Sequence, residues 1–165
     1  MSSPTKRGAL AVGDPVPYFT LPDQNGQPVH LADVLARGHV VLYFYPKDET
    51  SGCTAEACSF RDQYEVFREA GAEVIGVSGD SVASHQQFAQ HHRLPFTLLS
   101  DAKGAIRKLY GVQNTLGIIP GRVTFVIDRN GILRYSFNSQ MNPLRHVPEA
   151  LAILKGLQGE PVTTA

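Results

Sequence analysis

Continuous apolar runs and helical periodicities alternate along this chain. Residues 40–45 (VVLYFY) are wholly β-branched, aliphatic or aromatic, as a strand covered on both faces requires, and residues 72–78 are a second candidate for a buried strand. Between them Cys53, Ala57, Phe60, Tyr64 and Phe67 recur at spacings of 4, 3, 4 and 3, which marks one inward face of a helix. Gly71 is placed to end it as a C′ residue. Residues 81–93 predict a helix capped by Ser81 with Val82, Phe88 and Ala89 facing inward. Residues 96–99 predict a short strand and 105–110 a short helix closed by Gly111, whereas 112–121 carry no regular signal and read as a loop. Residues 123–128 and 132–137 flank Arg129-Asn130-Gly131, a hairpin signature that makes these strands antiparallel. An amphipathic helix over 144–157 follows.

Upstream, Pro15, Pro17, Pro22 and Pro28 punctuate a segment in which 18–21 and 27–30 predict short strands around an Asn25-Gly26 turn. Residues 31–36 read as a short helix stopped by Gly38, and residues 1–12 as a loose arm. Strands and helices in alternation, closed by a hairpin and a helix, imply an α/β fold with a mixed central sheet, helices on both faces and an N-terminal β extension. Sites in such sheets lie at the carboxyl ends of strands, where the segment after residues 40–45 falls.

The 165 residues suit one domain with a core of useful size. Fifteen basic side chains balance fifteen acidic ones, so no general attraction to nucleic acid or an anionic membrane is expected. Nothing approaches the ~20 successive apolar residues of a membrane span, and the N-terminus lacks the apolar core of a secretory signal. Two cysteines five residues apart do not make a secreted disulfide scaffold, which points to a reducing compartment, the cytoplasm; a mature organellar protein that has lost its transit peptide would look the same.

Both cysteines, Cys53 and Cys58, lie in YPKDETSGCTAEACSFR, residues 45–61. A thiol in the first turn of a helix faces unpaired N–H groups and the positive end of the macrodipole, which favour its thiolate. Cys53 then reads either as a nucleophile or as a small buried hydrophobe. Cys58 lies about 140° further around the helix. On an intact helix two such Cα atoms are roughly 8.7 Å apart, beyond the ~7 Å a disulfide tolerates, so a bond between them would require local unwinding. No set of histidines shows metal spacing: His91 and His92 are neighbours on a helix and are expected to point apart.

Pro46-x-x-x-Thr50-x-x-Cys53 resembles the peroxidatic motif of peroxiredoxins, and GCTAEACSFRDQYEVF resembles their Q-type (bacterioferritin comigratory protein) branch. The blocks at residues 71–80, 94–101 and 120–131 continue the likeness, which covers roughly residues 12–157. The resemblance implies a thioredoxin-like fold and a peroxidase acting on hydrogen peroxide and small organic hydroperoxides without metal, haem or flavin. It further implies that Cys53 attacks the peroxide, that Cys58 resolves the sulfenic acid as an intramolecular disulfide, and that thioredoxin or a similar dithiol restores both. A resolving cysteine in the same chain fits a monomer. Thr50 would cap the helix and could also hydrogen-bond the sulfur or the peroxide. Pro46 ends the strand and would shield the thiolate. Arg122, otherwise an ordinary surface arginine, would support the thiolate and the departing oxygen. The competing readings are a thioredoxin-like disulfide oxidoreductase, weakened by the lack of Cys-x-x-Cys, and a non-enzymatic redox sensor.

Overall fold

The computed structural model describes residues 10–114 and 120–158. Five strands form one mixed sheet in the order β5-β4-β3-β6-β7. β3 (His39–Phe44) is central, with β4 (Ala72–Ser78) and β5 (Thr97–Ser100) parallel to it on one side. On the other side β6 (Val123–Ile127) is antiparallel to β3, and β7 (Leu133–Asn138) completes the expected hairpin. A two-stranded extension of β1 (Thr20–Pro22) and β2 (Pro28–His30) turns at Gly26, whose φ of 78° suits glycine.

The period-2 alternation of β3 divides the core. Val41, Tyr43 and Tyr45 face one cluster, shared with α2 (Ser51–Asp62), α3 (Tyr64–Glu69), α4 (Val82–His92) and α6 (His146–Gln158). Val40, Leu42 and Phe44 face the other, shared with α1 (Leu31–Leu35), α5 (Ala105–Leu109) and the N-terminal segment. A short 3-10 turn, Pro143–Arg145, precedes α6. This is the thioredoxin-like arrangement that the sequence led us to expect.

Three local expectations change. The helix read as continuous from Cys53 breaks at Gln63 (φ −105°, ψ 9°) into α2 and α3. Cys53, Ala57, Phe60 and Phe67 are buried as the spacing predicts. Tyr64 is only half-buried, because its hydroxyl reaches out to donate to Glu73 Oε1 at 2.8 Å. In α4 the inward positions are His85, Phe88 and Ala89, while Val82 is half-buried. Ser81 does cap α4, accepting from Ser84 N at 3.1 Å, and Gly71 takes the left-handed C′ position after α3 (φ 81°). Of the loop at 112–121 and the N-terminal arm, residues 115–119 and 1–9 lie outside the described residues.

Candidate active site

The β3–β6 register sets the site. Phe44 pairs with Val123 across antiparallel strands, so the residue entering β6, Arg122, stands beside the chain leaving β3. That chain continues through half-buried Pro46 into a tight loop and then into α2, where Cys53 is buried at 1% exposure. Arg122 is itself buried, and its Nη2 donates to Cys53 Sγ at 3.5 Å. A β-carbon at Gly52 would sit only 3.2 Å from that same nitrogen, so glycine here lets the guanidinium lie against the first turn of the helix.

The second arm of the guanidinium grips Glu56: Nη1 donates to Oε1 at 2.6 Å between two buried side chains. Glu56 is fully buried, and burial pushes its carboxyl up to about 8 despite the lowering effect of Arg122. For Arg122, burial opposes the charge, but the Glu56 carboxylate and the Cys53 sulfur together hold its pKa above the ordinary value. Behind Glu56, His146 donates from Nε2 to Ser139 O at 2.9 Å and accepts at Nδ1 from the Thr124 hydroxyl at 2.7 Å. Burial drives this ring down to about 4, so it is neutral. Its Nδ1 lies 3.5 Å from Glu56 Oε2 with no hydrogen to give, which leaves that oxygen buried and unpartnered. The Tyr43 hydroxyl is likewise buried without a partner, its ring stacked on Phe60 at 4.5 Å.

Thr50 occupies the N-cap position of α2, but its side chain does not cap. The hydroxyl donates instead to Lys47 O at 2.8 Å and closes the loop on itself. The loop is also held from below. Asp48 accepts from Tyr45 Oη at 2.5 Å and Ser84 Oγ at 2.8 Å and lies 2.7 Å from His85 Nδ1, while Asp48 N donates to Asp80 at 2.8 Å. Arg107, which the sequence reading passed over, uses its two terminal nitrogens to bind Tyr45 O and Gly121 O, each at 2.9 Å. One planar fork thus joins the residue before Pro46 to the residue before Arg122. Cys58 lies on the intact helix, half-buried, and both thiols are free.

Glu56 was also missed, although a signal for it existed. It is three residues after Cys53 and four before Phe60, on the same inward stripe, and an acid on a buried stripe demands a cationic partner. His146 and Arg107 offered no such signal, since their partners are backbone carbonyls and hydroxyls distant in sequence.

Residues 12–136 match the AhpC/TSA family. Chloroplastic peroxiredoxin Q of Oryza sativa subsp. japonica is 52% identical over 151 residues, which is 91% of this chain and 69% of that protein. Among solved structures, peroxidoxin BcpB from Mycobacterium tuberculosis superposes with a TM-score of 0.83 at 41% identity, covering 88% of this chain and 97% of its own. Xanthomonas campestris peroxiredoxin Q does so with a TM-score of 0.76 at 31% identity, covering 84% and 90%.

Proposed function

The chain belongs to the AhpC/TSA family, in its peroxiredoxin Q branch, and is a thiol-dependent peroxidase; from that premise we propose that Cys53 is the attacking thiolate and Cys58 the resolving thiol. The substrates are hydrogen peroxide and small organic hydroperoxides. The Cys53 sulfur attacks one peroxide oxygen, the S–O bond forms as the O–O bond breaks, and the departing oxygen leaves as water or alcohol after taking a proton. Sulfur is oxidised to sulfenic acid and the peroxide is reduced. Cys58 then attacks the Cys53 sulfur, water leaves, and the intramolecular disulfide is returned to two thiols by thioredoxin or a similar dithiol.

The observation that carries this reading is the Arg122 fork, 3.5 Å from Cys53 Sγ on one side and 2.6 Å from Glu56 on the other. In a site from which water is largely excluded, that fixed cation faces the sulfur and stabilises charge moving onto the leaving oxygen. Pro46 shields the sulfur from the loop side. Thr50 is available to the peroxide through its lone pairs, its proton being committed to Lys47 O. Arg107 and Glu56 are positioning residues.

In our reading the chain works as a single-domain monomer, since the resolving thiol is in the same chain. Among the described residues no helix is long and apolar enough to cross a membrane. A reducing compartment, the cytoplasm in our reading, suits cysteines that return to thiols after each turnover; the rice relative is named as chloroplastic. The test is stopped-flow peroxide consumption by the wild type, Cys53→Ser and Cys58→Ser. Cys53→Ser should lose at least about a hundredfold in rate, because a neutral serine hydroxyl is neither ionised nor a soft nucleophile. Retention of more than about a hundredth of the wild-type rate removes Cys53 from the role. A disulfide oxidoreductase would instead reduce insulin disulfides efficiently and consume peroxide poorly.

A further inference from the structure

Glu49, four residues before Cys53, has a positive φ of 62° although it is not glycine. Its carboxylate sits between two imidazoles at the end of α4: Oε2 is 3.1 Å from His91 Nδ1 and Oε1 is 2.9 Å from His92 Nε2. Adjacent helical residues diverge by about 100°, which is why these histidines were expected to point apart. They converge because each presents a different ring nitrogen, and the rings lie 4.3 Å apart at 32°. Phe88 packs edge-on against the His92 ring at 5.2 Å, and Arg61 Nη1 donates to the His92 carbonyl at 2.7 Å, so the end of α4 that carries this ring is held from α2.

The three donor atoms lie within 4.8 Å of one another. Tetrahedral zinc with bonds of ~2.0–2.2 Å needs donor atoms roughly 3.3 Å apart; each imidazole nitrogen is near that distance from one oxygen of the carboxylate, and the two nitrogens lie within 4.8 Å of each other. Glu49 and His91 are exposed, which leaves a side open for a water as fourth ligand. The other grouping of this kind among the described residues, Asp48, Asp80 and His85, is different in character. Its groups are already engaged in a buried hydrogen-bond network with Tyr45, Ser84, Ser78 and Leu99 O.

We propose that Glu49, His91 and His92 form a site for one divalent transition-metal ion of the zinc class, and that the bound ion ties the loop preceding Cys53 to the C-terminal end of α4. Two imidazoles and one carboxylate select zinc, cobalt, nickel or copper(II) over magnesium and calcium, which prefer all-oxygen shells. Asp48 already fastens this loop to the N-terminal half of α4 through Ser84 and His85. A metal at Glu49 fastens the next residue to the other end of that helix, replacing two solvent-exposed hydrogen bonds with coordinate bonds. The site uses none of the residues assigned to peroxide chemistry, so it stands or falls independently of them.

The test is calorimetric titration of zinc chloride into untagged, chelator-stripped protein carrying Cys53→Ser and Cys58→Ser, which removes competing thiolates. One ion per chain should bind with a dissociation constant in the micromolar range. Adding Glu49→Gln, a surface change compatible with folding, should weaken binding about tenfold or more, and so should His91→Gln with His92→Gln. Amides of residues 47–54 should exchange more slowly with zinc present than without. Binding no tighter than about 1 mM, equal affinity in the Glu49→Gln protein, or unchanged exchange over 47–54 each overturns the proposal.

Discussion

Arg122 Nη1 and Glu56 Oε1 are 2.6 Å apart in a region where both side chains are buried, and the other Glu56 oxygen has no donor at all. Burial of this carboxyl, which has a donor on one side only, makes it hold a proton more tightly than an exposed acid does. Below about pH 8 the neutral carboxyl still accepts from Arg122, and the guanidinium charge is left to the Cys53 sulfur.

This makes stability depend on pH. Folded Glu56 keeps its proton up to about 8, whereas the unfolded carboxyl gives it up near its ordinary 4.5, so between these values folding takes up a proton. Stability therefore falls as pH rises through this window, with a slope of at most about 1.4 kcal/mol per pH unit from this group. Glu56→Gln keeps an acceptor for Arg122 and removes the titration. Urea midpoints at about pH 5 and about pH 9 should show the variant gaining on the wild type as pH rises. A variant that instead loses ground at high pH would mean that Arg122 holds Glu56 ionised.

Arg122→Lys should slow peroxide attack by about 5- to 150-fold, equivalent to ~1–3 kcal/mol of transition-state stabilisation. An ammonium cannot contact Cys53 Sγ and Glu56 simultaneously in the fork geometry seen here. Circular dichroism should show the fold retained. An unchanged second-order rate constant with hydrogen peroxide would take Arg122 out of the chemistry.

Gly52→Ala separates helix stability from site geometry. Alanine is the better helix former by up to ~1 kcal/mol, and the backbone here is not in the left-handed region, so the thermal midpoint should hold or rise slightly. The new methyl group would meet Arg122 Nη2 at 3.2 Å and push the guanidinium from Cys53. We expect peroxide attack to slow about tenfold, roughly 1.4 kcal/mol, in a protein no less stable than the wild type. Wild-type kinetics with an unshifted midpoint would show that the fork has slack.

In the proposed cycle, resolution by Cys58 requires α2 to open. Cys53 and Cys58 lie within one continuous helix, and a bond between positions five apart cannot form until at least a turn is lost. Each backbone hydrogen bond released costs only ~0.5–1.5 kcal/mol net, within reach of disulfide formation. Hydrogen exchange should show amides 54–62 protected in the reduced protein and faster in the oxidised one, with β3 little changed. Cys58→Ser should complete one turnover and stop at the sulfenic acid. Equal protection in both redox states, with the Cys53–Cys58 bond verified by mass spectrometry, would sink this step.

The sequence by itself determined the order of elements, the two faces of the central strand, the capping of α4 by Ser81 and the end of α3 at Gly71. These are local properties, dictated by side-chain period and by the backbone preferences of single residues. It also placed Cys53 in a first helical turn, and its resemblance to the peroxiredoxins singled out Arg122. Only the tertiary structure decided the bend at Gln63, which has no glycine or proline to announce it and which accompanies the packing of Phe67 into the core and the reach of Tyr64 to Glu73. The same holds for the Arg107 fork, for the pairing of Glu56 with Arg122 66 residues away, and for the meeting of His91 and His92 at Glu49. Each depends on strand register or on how helices settle on the sheet, and those are settled by burial summed over the whole core, which no window of sequence contains.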